Sequence, residues 1–158
     1  RIFAYAFDPP AFQGGGVPEV DLHEIDGPFS VAGLEIVPVP VLHGPQPILG
    51  VRVGGFAYLT DCNHIPESSF ALLDGLEVLV LDALRHKPHP SHFSLSEAVA
   101  VATRIGAGRT LFTHICHDLP HAATNAALPP GMALAHDGQT LDLDEVPCGT
   151  GGAPEARY

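Results

Sequence analysis

Histidine is the unusual residue in this sequence: ten His outnumber seven Lys and Arg together, alongside 18 Asp and Glu in 158 residues. Neutral imidazole and carboxylate together make the donor set that suits Zn, Mn or Fe, and a bound ion offsets the repulsion of gathered carboxylates. Four such residues each close an apolar run: His43 after Val41-Leu42, Asp61 after Leu59-Thr60, Asp82 after Val80-Leu81 and His114 after Phe112-Thr113. A fifth, His92, lies in the His- and Pro-rich stretch Arg85 to Phe93 with His86 and His89, which read as solvent-facing. Singly, each has an ordinary explanation. His43 before Gly44-Pro45 fits a turn, Asp61 an Asx turn before Asn63, and His114 a satisfied core histidine. Together they would line one rim of a sheet, where the scaffold fixes side chains that remain accessible.

The elements that must carry them follow from the pattern. Leu34 to Val41 is β-branched and nearly alternating, but Pro38 and Pro40 cannot donate ladder hydrogen bonds, so it is expected as an edge strand or a strand end. Ile48 to Val53 and Phe56 to Thr60 flank Gly54-Gly55, a two-residue hairpin turn. Pro66 to Leu73 reads as a short helix stopped by Asp74-Gly75, and Leu76 to Ala83 as a buried strand ending at Asp82. S-L-S-E at Ser94 to Glu97 has the form of a capping box, with Leu95, Ala98, Val99, Ala102 and Ile105 on one apolar helical face before Gly106. Arg109 to Ile115 is a strand leading into His114, and Leu119 to Leu128 a helix stopped by Pro129-Pro130-Gly131. Met132 to His136 and Gln139 to Leu143 are expected to form a closing hairpin about Asp137-Gly138. Arg1 to Ser30 reads as a short strand and an irregular excursion, and the Gly- and Pro-rich residues 144–158 as a poorly ordered tail. The sum is mixed α/β, with helices covering a face of a sheet.

Composition bounds the function. With 46% hydrophobic residues the chain can bury a core, and its length suits one domain. A net charge of −11 argues against a phosphate-tracking nucleic-acid surface. Cys62, Cys116 and Cys148 are an odd set without C-x-x-C spacing, which points to a reducing compartment and, by default, the cytoplasm. The apolar run Leu76 to Leu84 is broken by Glu77 and Asp82 and falls far short of the roughly 20 residues that span a bilayer. No secretory signal pattern opens the chain, although Arg1 in place of Met implies processing or a boundary upstream.

In chain order V-L-H-G (41–44), Y-L-T-D (58–61), L-D-A (81–83), H-P-S-H-F-S (89–94), T-H-I-C-H-D (113–118) and A-H-D-G (135–138) resemble the metallo-β-lactamase superfamily, and more narrowly its phosphoribosyl cyclic phosphodiesterase branch. The resemblance implies an αββα sandwich holding two divalent ions, Zn or Mn. It makes His43 a ligand of one metal, Asp61 the bridge, His114 a ligand of the other, and His92 a phosphate contact or general acid. It implies hydrolysis of a small, cyclic phosphodiester by a hydroxide generated at the dinuclear centre. Thioester or lactone hydrolysis, tRNA 3′-end processing and an accessory role in pyrroloquinoline quinone biosynthesis are the alternatives, with a non-catalytic fragment as a rival of another class. His117 is placed as a ligand of a structural zinc, Asp82 behind a ligand as its orienting carboxylate or as a turn cap, and Cys116 as a buried or neutral thiol. The family's leading His-x-His-x-Asp-His motif is absent from residues 1–158. Residues 1–143 are therefore expected to be the C-terminal portion of one such domain, with mixed sheet and flanking helices. Such a portion should expose an apolar sheet face, and associate with its missing N-terminal portion or with further copies of itself.

Overall fold

The computed structural model describes residues 20 and 22–143; the expectations for the first strand near Arg1 and for the tail 144–158 lie outside them. Seven strands form one sheet in sequence order: β1 (Phe29–Val31), β2 (Leu34–His43), β3 (Gln46–Val53), β4 (Phe56–Leu59), β5 (Val78–Asp82), β6 (Arg109–Thr113) and β7 (Met132–Leu134). The first four pair antiparallel, and β4 to β7 pair parallel. Each parallel step needs a crossover. These are α1 (Glu67–Phe70) with the 3₁₀ turn Ala71–Leu73, α2 (Leu95–Ile105) and α3 (His121–Ala127).

The proline-bearing strand is not the edge strand of the sheet, since β1 pairs with its Leu34–Ile36, but among the described residues no strand flanks the outer side of its proline-bearing half. The Leu42 N–H donates to the His64 carbonyl, outside the β2–β3 ladder. Pro38 and Pro40 share the parity of Leu42, so both missing donors fall on that outer edge while the ladder to β3 stays complete. There the Ser69 hydroxyl donates to the Pro40 carbonyl at 2.7 Å.

One line of side chains crosses the sheet beneath the helices. Val39 pairs with Gly50, Leu59 with Leu81, Leu81 with Phe112, and Phe112 with Leu134. The four large residues of this line beyond Val39 are at most 2% exposed, and they share a core cluster with Leu73, Leu95, Ala98 and Ala102 from the helical layer. Each such side chain contributes about 1.5–3 kcal/mol of burial. Gly50 has no side chain because Leu59 fills the space: a Cβ there would meet Leu59 Cδ2 at 2.3 Å. The other face is different. Val51, Tyr58 and Leu49 remain 37%, 39% and 49% exposed, whereas Val80 and Leu111 nearer the centre are buried.

The capping box is formed: Ser94 Oγ accepts from the Glu97 N–H while the Glu97 carboxylate accepts from the Ser94 N–H. Gly106 closes α2 at φ 71°, a left-handed conformation that glycine adopts without Cβ strain. The closing hairpin is not formed. Gly138 turns as expected, and the Gln139 N–H donates to the His136 carbonyl, but Gln139 to Leu143 is not a strand. Its expected partner pairs instead in parallel with β6, where the Phe112 carbonyl takes the Ala135 N–H. Among the described residues no helix is long and apolar enough to cross a membrane.

Candidate metal centre

Two antiparallel steps from β2 to β4 restore the strand direction, so β2, β4, β5 and β6 all run the same way. Their C-terminal ends therefore share one rim, the usual position of a site in an open α/β sheet. His43 ends β2, Asp82 ends β5, and Asp61 and His114 follow β4 and β6. Asp61 at φ 55° and His114 at φ 60° are left-handed, a backbone state that costs a non-glycine residue on the order of 1–3 kcal/mol and collects at functional sites. The strain turns both side chains onto the rim, where His114 Nε2 lies 3.1 Å from Asp61 Oδ1.

His92 is the centre of the group. Its Nε2 is 3.3 Å from His43 Nε2 and its Nδ1 is 3.2 Å from Asp82 Oδ1. The His92 ring stands 4.9 Å from that of His43 and 4.6 Å from that of His114. Asp82 is fully buried beneath them and its oxygens are all used: Oδ1 also accepts from the Asp61 N–H at 3.2 Å, and Oδ2 from the Phe93 N–H at 3.0 Å. Burial pushes its carboxyl pKa upward, opposed by the hydrogen bond and charge of His92 and the charge of His114. As a carboxylate that accepts the His92 Nδ1–H, it fixes the tautomer and turns Nε2 toward the rim.

The donor set fits a divalent ion by chemistry and by span. His43, Asp61 and His92 can each offer an atom within 4.8 Å of the others, and so can Asp82, His92 and His114. These are imidazole nitrogens and carboxylate oxygens brought together from three elements in each case. A third group, Cys116, His117 and Asp118, is three neighbours in sequence; His117 is 93% exposed at its side chain, and Cys116 is half-buried.

One residue stands differently from its sequence reading. His86 is exposed as expected, but His89 is half-buried with its ring 5.0 Å from that of His92. Partial desolvation and the neighbouring His92 and Arg85 lower its pKa. Its spacing of three residues from His92 was the available signal. Cys62, next to Asp61, is fully buried, and burial with the nearby Asp82 and Asp61 charges pushes its thiol up to about 12. Beside His114 opens a cleft of about 540 Å³ lined by Ile115, His121, His136 and Asp137, a volume in the range of small-molecule sites.

Comparison with known proteins gives a consistent set of likenesses. The model of the beta-lactamase superfamily domain matches residues 1–115. A solved structure described as a new diphosphatase from the PhnP family is 49% identical with a TM-score of 0.74, over 77% of this chain and 48% of that one. A protein of Porphyromonas gingivalis (strain ATCC BAA-308 / W83) named octanoyltransferase is 34% identical over 134 residues, 82% of this chain and 27% of its own length. Zn(2+)-bound PqqB from Methylobacterium extorquens, 24% identical with a TM-score of 0.57 over 80% of this chain and 53% of that one, shares the fold. The chain thus spans about half of the diphosphatase and about a quarter of the octanoyltransferase.

Proposed function

We propose, from the premise that this chain belongs to the beta-lactamase superfamily, that it carries the C-terminal half of a metal-dependent hydrolase acting on a small phosphodiester, cyclic ones included. The carrying observation is the convergence of His43, Asp61, Asp82, His92 and His114 from separate strand ends and one loop onto a single rim. In this reading His43, Asp61 and His114 would hold two divalent ions, Zn or Mn, Asp61 serving both, while His92, although close enough to be a donor, serves the substrate instead. Such ions, when bound, supply Lewis-acid polarisation of phosphoryl oxygens and acidify water near neutral pH. His92 keeps Nδ1–H on Asp82, and a proton carried at Nε2 is the one a leaving oxygen would take. The cleft beside His114 receives the rest of the substrate.

The exposed Leu49, Val51 and Tyr58 support reading residues 1–143 as part of a larger domain, because they form an apolar strip on the sheet face away from the helices. The free Cys62 and Cys116 support a reducing, cytoplasmic setting. The relative named octanoyltransferase favours, as a second reading, an acyl ester or thioester in place of the phosphodiester. The test is turnover of bis(p-nitrophenyl) phosphate and of a short acyl thioester by the metal-loaded protein carrying this chain. Hydrolysis of the phosphodiester alone supports the first reading, and hydrolysis of the thioester alone replaces it with the second.

A further inference from the structure

Two residues beyond Asp61, the side chain of Asn63 reaches out of its own loop in both directions. Its Oδ1 accepts the Gly44 N–H at 2.9 Å, and its Nδ2 donates to the Pro90 carbonyl at 3.0 Å. Gly44 directly follows His43, and Pro90 lies two residues before His92. One carboxamide thus joins the three segments that carry His43, Asp61 and His92, the residues whose donor atoms gather within 4.8 Å. The partners fix its orientation, since an amide N–H requires the oxygen and a carbonyl requires the NH₂. The contact is close: Gly44 stands at φ 58°, and a Cβ there would lie 3.3 Å from the Pro90 oxygen and 3.5 Å from Ser91 Cβ. Backbone bonds hold the loop that presents Asn63, with the Asn63 N–H on the Leu42 carbonyl and the Phe93 N–H on the Cys62 carbonyl.

We infer that Asn63 is a positioning residue of the metal centre, a clasp that sets the spacing of His43, Asp61 and His92 without touching the metal or the substrate. The inference rests on the metal-centre reading above and adds a residue that does not itself bind the ion. Asparagine suits the place because it offers one acceptor and one donor at the right reach. Aspartate would keep the Gly44 bond but set an oxygen against the Pro90 carbonyl, and alanine would release both segments.

The test compares Asn63→Ala and Asn63→Asp with Ser69→Ala, which removes a hydrogen bond to Pro40 in the same region but away from the rim donors. In the protein carrying this chain, Zn²⁺ affinity is measured by chelator competition, the Co²⁺ absorption spectrum is recorded, and thermal unfolding is followed without metal. Both Asn63 variants are expected to bind Zn²⁺ about 10–100-fold more weakly, the usual effect of losing a partner that orients metal ligands, and to alter the Co²⁺ spectrum. Ser69→Ala is expected to lower the melting temperature and leave affinity and spectrum unchanged. Wild-type affinity and spectrum in both Asn63 variants would overturn the inference while leaving the metal centre standing. Equal affinity losses in the Asn63 and Ser69 variants would reduce Asn63 to a structural role and overturn it too. A wild-type protein that binds no Zn²⁺ would overturn the metal-centre reading and this inference with it.

Discussion

Two clusters of candidate metal ligands differ in how they are built. The rim group draws His43, Asp61, Asp82, His92 and His114 from four strand ends and a loop, and rests on a buried carboxylate with both oxygens hydrogen-bonded. Cys116, His117 and Asp118 are consecutive, and their support is local: the Asp118 N–H on Cys116 Sγ at 3.4 Å and a His117–Asp118 approach of 3.5 Å. Ordering exposed side chains costs conformational entropy, which the core beneath the rim has already met and which the triplet must meet on its own. Proximity of ligand types is therefore poor evidence for a site unless the fold holds them.

The comparison can be broken from its strongest point downward. Asp61→Ala should abolish metal retention and turnover; metal content after dialysis equal to wild type would remove Asp61 from the centre. His92→Gln should spare the metal and slow turnover by about 10²–10⁴-fold, the range for loss of a general acid, as read from kcat at saturating metal. Asp82→Asn should slow turnover by about 10–100-fold with metal content unchanged, because the His92 ring loses its orienting carboxylate. His117→Ala, on an exposed side chain, should shift stability by no more than about 0.5 kcal/mol and leave rim metal affinity unchanged. The thiols sharpen the contrast further: in the native protein iodoacetamide should label the half-buried Cys116 and leave the fully buried Cys62 unmodified, as judged by mass spectrometry.

The residues that end strands were legible in the sequence because apolar runs and their stops are local signals. The same holds for the Ser94 cap and the Gly54 turn, which need nothing beyond their neighbours. Asp137-Gly138 shows the limit. A turn signal says that the chain bends and leaves open what its flanks pair with, and Met132 to Leu134 found β6. Asn63 was unreadable for a related reason, since its role depends on segments separated by tens of residues meeting at the rim. The left-handed turns at Asp61 and His114 leave only a weak mark in residue type, Asp and His being among the side chains enriched in that region. Leu49, Val51 and Tyr58 are exposed at one side of a face on which Val80 and Leu111 are buried, and we propose that the rest of the same domain packs against that strip.

X-ray absorption at the zinc edge, on the protein carrying this chain loaded with one equivalent of Zn²⁺, tests the central claim most directly because the two clusters differ in sulfur. The rim account predicts a shell of nitrogen and oxygen alone at about 2.0–2.1 Å, with the outer scattering of imidazole. A sulfur shell at about 2.3 Å would take the ion off the sulfur-free rim and contradict it.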